Sequence, residues 1–171
     1  VSVVQIPLRG SLAASLGLTA AVDEGDAEKV QGKSWYAVRC GAHKQTIYAV
    51  AKLLRGGALR TTYMHRLILG AAPGQSVDHA DHNGLNNSRA NIRLCTCSLN
   101  NANRMARGSA GGFRGVYQQK GRRNFFAAIS VAGRDRRIGS FQSPMEAALA
   151  YDAAAREAFG AFAVLNFPAG A

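Results

Sequence analysis

A chain of 171 residues is long enough for one ordinary domain or two small ones, and with 47 % apolar residues it is expected to bury a core. Its formal net charge of +11 and pI of about 10.3 point to a polyanionic partner, nucleic acid first. No apolar run approaches a membrane span, no secretory signal pattern opens the chain, and three cysteines without a framework suit free thiols in a reducing, intracellular setting.

Every segment of the chain is net basic, so the charge is not that of a disordered basic tail on a neutral body. Residues 1–60 read as a small β-rich subdomain. Val3, Val4 and Ile6 form a short strand that stops at Pro7. Gly10 to Ala21 is small and apolar without clean periodicity. Asp23, Glu24, Asp26 and Glu28 make an acidic cluster, expected as a solvated helix or turn. Trp35 to Val38 and Ile47 to Val50 are two strands joined through His43 and Lys44. Lys33, Arg39, Lys44, Lys52, Arg55 and Arg60 are available to phosphate, or are ordinary surface charge. Gly56-Gly57 marks a turn.

Met64 to Leu69 predicts one or two helical turns ended by Gly70 and Pro73-Gly74. His65 within it is expected as a packed or hydrogen-bonded core histidine. Ser76-Val77-Asp78-His79 is a short strand. Neighbouring side chains of a regular strand face opposite ways, so Asp78 and His79 share a site only if the strand ends or twists there. The Asp81-His82-Asn83-Gly84 turn supplies that ending. Asn86, Asn87 and Asn91 can hold the loop in one shape. Ile92 to Leu94 is the return strand. Thr96 or Ser98 can cap a helix carrying Asn100, Asn101 and Asn103.

Gly108 to Gly112 is a flexible linker by composition. Three strands follow, over Arg114 to Tyr117, Phe125 to Val131 and Arg136 to Phe141. Ser143-Pro144-Met145-Glu146 is a helix start with a cap, a proline in the first position and a Glu reaching back. That helix runs to about Phe159 and stops at Gly160, with Ala147, Ala150, Tyr151, Ala154, Ala158 and Phe159 towards the sheet. A three-stranded sheet covered on one side leaves its other face free for a duplex groove. The arginines placed there are Arg114, Arg122, Arg123, Arg134 and Arg136 or Arg137.

Phosphodiester hydrolysis needs an activator of water and charge to offset the phosphoryl group and the leaving oxygen. A histidine suits the first task. A hard cation on oxygen ligands such as the Asp78 carboxylate and the Asn100 amide suits the others, because Mg²⁺ takes few protein ligands.

Residues Tyr63 to Arg104 resemble the HNH nucleases of the ββα-metal fold, closest to the phage and intron-encoded homing branch in which Asn replaces the second His. The resemblance implies His79 as general base, Asp78 with Asn100 as the pair holding Mg²⁺ or Mn²⁺, and Asn91 as the middle Asn that braces the loop. Asn101 is the alternative ligand if the register shifts by one. Residues 113–168 resemble the plant ethylene-response-factor DNA-binding domain, through FRGVY, FAAI, IGSF and AYDAAAREAFG…LNFP. That resemblance implies double-stranded DNA contact from Arg114, Arg122, Arg123, Arg134 and Arg136. Its groove-facing Trp and Arg positions are partly Tyr117, Gln119 and Phe125 here. Arg93 and Arg104 join the expected DNA contacts from the nuclease part.

The fold expected is α+β: a β-rich subdomain over 1–60, an HNH core over 61–107, a linker over 108–112, and a three-stranded antiparallel sheet packed on one helix over 113–171. A monomeric DNA endonuclease on DNA inside the cell is expected, without membrane or small-molecule substrate. The competing readings are a non-cleaving DNA-binding regulator, an RNA substrate, and a structural zinc held by His79, His82, Cys95 and Cys97.

Overall fold

The computed structural model describes residues 2–40, 46–96, 99–100 and 112–168. The chain divides into two compact units, Val1–Cys95 and Thr96–Ala171. Each is mixed α and β, built from small antiparallel sheets and few helices.

Among its described residues the first unit has three sheets. Strands β1 (Val3–Pro7) and β2 (Thr19–Asp23) form an antiparallel pair, with helix α1 (Ser11–Leu16) between them. The aperiodic stretch after Pro7 thus resolves into a helix and a strand, separated by Gly17 in the left-handed region. A 3₁₀ turn (Glu24–Asp26) and helix α2 (Ala27–Val30) lead to the second sheet, ordered β3 (Tyr36–Cys40), β4 (Thr46–Arg55) and β5 (Ala58–Tyr63). The Gly56-Gly57 turn joins β4 to β5, a strand not expected from sequence because its residues Leu59-Arg60-Thr61-Thr62 are mostly exposed and carry little apolar signal. Helix α3 (Met64–Leu69) ends at Gly70 in the left-handed region, and β6 (Ser76–His79) pairs with β7 (Ile92–Cys95).

One core runs through this unit, from Ile6, Ala20, Val22 and Val30 through Trp35, Ala49 and Ala51 to Met64, Ile68 and Ile92. Trp35 is fully buried and its indole N–H donates to Val30 O at 2.9 Å, which satisfies the group that burial would otherwise leave bare. Residues on both sides of position 60 share this core, and β5 runs across that position.

In the second unit, β8 (Val116–Gln118), β9 (Phe125–Val131) and β10 (Arg134–Phe141) form an antiparallel meander, with helix α4 (Pro144–Phe159) on one face. The helix start follows its local sequence. Glu146 N–H donates to Ser143 Oγ at 3.2 Å, Pro144 takes the first position, and the Glu146 carboxylate accepts from Gln142 N–H at 3.2 Å. The buried face differs in part from the alanine stripe expected: Ala147, Ala148, Tyr151, Ala154, Ala155 and Phe159 are buried, with Asp152 among them. Asp152 accepts from Asn166 N–H and Phe167 N–H, both at 2.8 Å, and Asn166 Oδ1 accepts from Arg114 N–H at 2.6 Å. This ties the C-terminal segment to the start of the sheet. Gly115 (φ 72°) is required where it passes Tyr151, since a Cβ there would lie 2.0 Å from the ring.

Candidate active site

The centre of the first unit is the β6–loop–β7 hairpin. β6 ends at His79, and Ala80 N–H donates to Asn91 O at 2.9 Å to close the hairpin mouth. The loop between is held by its own amides. Asn91 Nδ2 donates to Asp81 Oδ1 (2.9 Å) and Asn86 O (2.7 Å), while Asn91 Oδ1 accepts from Asp81 N–H (3.0 Å). Asn86 Nδ2 donates to Asp81 Oδ2 at 2.7 Å, and Asn83 Oδ1 accepts from Leu85 N–H at 3.1 Å. These bonds hold Asp81 ionised: burial raises its carboxyl pKa, but donors from Asn86, Asn83 and Asn91 bring it below the usual range.

The loop is also latched to the N-terminal part. Ala21 N–H donates to Leu85 O at 2.9 Å and Asn87 N–H to Ala21 O at 2.8 Å. Arg89 grips Asp26 through Nε (2.6 Å) and Nη2 (2.9 Å), and its backbone N–H donates to Asp23. The acidic cluster expected as a solvated turn is therefore partly an anchor: Asp26 is buried and also takes Lys29 Nζ at 2.7 Å. The Arg89 guanidinium holds its carboxyl below the ordinary pKa. Gly84 presses on β4, where a Cβ would meet Ile47 O at 2.4 Å and the Tyr48 ring at 2.5 Å.

Asp78 and His79 are both buried at the end of β6. Asp78 stands opposite Arg93 on β7, and Arg93 Nε and Nη2 both reach Asp78 Oδ2 at 2.8 Å. Arg93, one of the expected DNA contacts, spends two donors on the carboxylate, because the register places them as direct cross-strand neighbours. His79 turns into a box of rings. Its centroid lies 4.9 Å from His65 in an edge-on contact and 5.7 Å from Tyr48. Burial lowers the His79 pKa, opposed by the Asn87 amide and the Asp81 and Asp78 carboxylates. The result is an imidazole that is neutral at pH 7 and able to accept a proton. His65 is a core histidine as expected, but with its Nδ1 lacking a hydrogen-bond partner among the described residues. Burial, then His79 and Arg66, push its pKa down to about 3.

Asn100 falls in the second unit, where its backbone N–H donates to Thr96 O at 2.9 Å. Thr96 Oγ1 accepts from Leu99 N–H at 3.2 Å, the bond of a helix cap, and Ser98, the other candidate, lies outside the described residues. Asn101, Asn103, Arg104, Cys97, His43, Lys44 and linker residues 108–111 lie outside the described residues. Among the described residues no group of three or more His, Cys, Asp or Glu is placed to hold a metal, so His79, His82 and Cys95 do not assemble a zinc site. The Asp78 carboxylate and an Asn amide are hard oxygen donors, which fits Mg²⁺ or Mn²⁺ with few protein ligands.

On the second unit, the sheet face opposite α4 carries Phe126 stacked on Tyr117 at 5.5 Å, with the Arg137 guanidinium 4.2 Å above the Phe126 ring. Arg122, Arg123, Arg137 and Asn124 line a cavity of about 440 Å³ beside Phe126. Arg136 and Arg134 pair with Ile129 and Val131, which face the helix, so they stand on that side of the edge strand. Arg137 was the alternative to Arg136, and a bulge between Arg137 and Gly139 sets the parity that turns Arg137 to the open face. Arg114 donates from Nε to Tyr151 Oη at 2.7 Å, on the helix side.

No family model matches the chain. A protein of Acanthamoeba polyphaga mimivirus named as an uncharacterized HNH endonuclease is 34 % identical over 90 residues, 53 % of this chain and 46 % of the relative. The chain thus spans about half the length of the curated relative it matches. No helix among the described residues is long and apolar enough to cross a membrane.

Proposed function

We propose that the chain is a divalent-metal-dependent DNA endonuclease of the HNH homing type, with the second unit binding duplex DNA. The observation that carries this reading is His79, buried beside Asp78 and held in its proton-accepting form at the mouth of a loop braced by Asn91. The mimivirus relative's name supports the same chemistry. In this reading His79 takes the proton of the attacking water, and Asn91 keeps the loop from moving it. Asp78 and Asn100 would hold Mg²⁺ or Mn²⁺, which supplies positive charge beside the phosphoryl group and the leaving oxygen. Arg93 orients the Asp78 carboxylate. Cleavage leaves a 3′-hydroxyl and a 5′-phosphate, as the HNH resemblance implies.

The Arg93–Asp78 pair favours a second reading, a non-cleaving DNA-binding regulator in which the guanidinium stands where a cation would. Supercoiled plasmid incubated with the protein in Mg²⁺ and in EDTA separates the two. Nicking or linearisation in Mg²⁺ alone supports the nuclease. An intact plasmid beside tight site-specific binding supports the regulator.

A further inference from the structure

The outer face of β3-β4-β5 holds a trough of about 940 Å³. Ala49 and Ala51 of β4 point into the core, so Val50 and Lys52 point the other way, beside Tyr36, Tyr63 and Thr61 of the neighbouring strands. Its lining includes Arg9, Lys33 and Lys52, and none of the described residues lining it is acidic. None of these three cations is ion-paired among the described residues. The lining is otherwise largely apolar, with Leu12, Val38 and Val50, and Tyr36 is 44 % exposed.

The trough is linked to the candidate active site. Tyr63 lines it and packs against Tyr48 at 5.8 Å and His65 at 5.4 Å. Both of those rings pack in turn against His79.

We propose that this trough is a binding site for single-stranded DNA, with phosphates on Arg9, Lys33 and Lys52 and a base stacked on Tyr36. A basic groove with an aromatic platform is the chemistry that holds a strand without regard to sequence. A duplex offers a convex charged backbone and has no use for an apolar lining or an exposed ring inside a concavity. An unpaired strand presents both phosphates and free base faces. Taken with the nuclease reading, on which its biological meaning rests, the trough receives a strand running to or from the scissile phosphate at His79.

The test is binding of the full chain in EDTA, where no cleavage intervenes, so its outcome is separate from that of the plasmid assay. The probes are a short fluorescein-labelled oligothymidylate and a labelled hairpin duplex, read by anisotropy. Tyr36→Ala, and separately Lys33→Gln with Lys52→Gln, are expected to weaken oligothymidylate binding about fivefold or more, as loss of a stacked base does, while duplex binding changes less than about twofold. Tyr36→Phe is expected to keep wild-type affinity. Unchanged oligothymidylate affinity in both variants overturns the site. Equal losses on both probes also overturn it, by making the trough a general electrostatic surface. Thermal melting confirms folding, and if Tyr36→Ala fails to fold, the double lysine variant decides.

Discussion

Arg89 closes on Asp26 with two bonds of 2.6 and 2.9 Å across 63 residues of sequence, joining the loop behind His79 to the N-terminal acidic turn. The two ends of the pair are unequal. The Asp26 side chain is 3 % exposed and that of Arg89 is 54 % exposed. Asp26→Ala strands two cations, Arg89 and Lys29, and is expected to cost about 2–3 kcal/mol, below the range for a fully buried pair because solvent screens Arg89. Arg89→Ala leaves Lys29 on Asp26 and is expected to cost about half as much. Urea midpoints check the order. Arg89→Ala proving the more damaging would remove Asp26 as the anchor.

The nuclease reading places the proton transfer on His79. His79→Ala is expected to lower plasmid cleavage in Mg²⁺ by about 10²–10⁴. DNA binding in EDTA should hardly change, because the basic surfaces are untouched. Cleavage at the wild-type rate by this variant would end the assignment.

Acid stability follows from His65. Its folded pKa of about 3 lies below the unfolded value of 6.5, so the unfolded chain binds a proton that the folded one refuses. Stability is unaffected above pH 6.5 and falls as pH drops from there towards 3. At pH 5 the loss from this group is about 2 kcal/mol. The lowered pKa of His79 acts in the same direction, while that of Asp26 matters only below its unfolded value of 3.8. His65→Phe removes one titrating ring and should flatten the decline in urea midpoint between pH 7 and 5. An equally steep decline would show that other groups cause it.

Gly84 has an ordinary φ, so its need is for space. A Cβ at 2.4 Å from Ile47 O must push the loop off β4. Gly84→Ala is expected to destabilise by about 1–3 kcal/mol, the cost of overpacking. Because the loop carries Asn91's partners Asp81 and Asn86, activity should fall along with the melting temperature. A wild-type melting temperature would mean that the loop yields at no cost.

Features written in local chemistry were legible in the sequence. The cap, proline and glutamate of Ser143-Pro144-Met145-Glu146 mark the start of α4, Gly70 marks the end of α3, and the short apolar runs on either side of the Asn-rich loop are β6 and β7. Features that depend on distant partners were not. Nothing near Asp26 announces Arg89, nothing near Asp152 announces Asn166, and the ring box needs Tyr48, Tyr63, His65 and His79 from four elements. The pairing of Arg93 with Asp78 is likewise invisible locally, because a strand's register cannot be taken from its own residues and register is what sets the two opposite each other.

The same limit applies to the arginines of β10, where one bulge decides which of two neighbours faces outward. Arg137 lies over Phe126, which itself stacks on Tyr117, so its guanidinium is presented with little rotamer freedom left to lose on binding. Arg136 shares the side of Ile129 and stands away from the open face. Arg137→Ala is therefore expected to weaken duplex binding about tenfold, within the roughly 1–3 kcal/mol typical of a good bidentate base contact. Arg136→Ala should change it about twofold at most, through lost charge alone. Phe126→Leu keeps an apolar side chain but removes the ring beneath the guanidinium, and should reproduce part of the Arg137→Ala loss. Anisotropy titrations with a labelled duplex at fixed salt measure all three. A larger loss from Arg136→Ala than from Arg137→Ala would place the DNA on the other side of the edge strand.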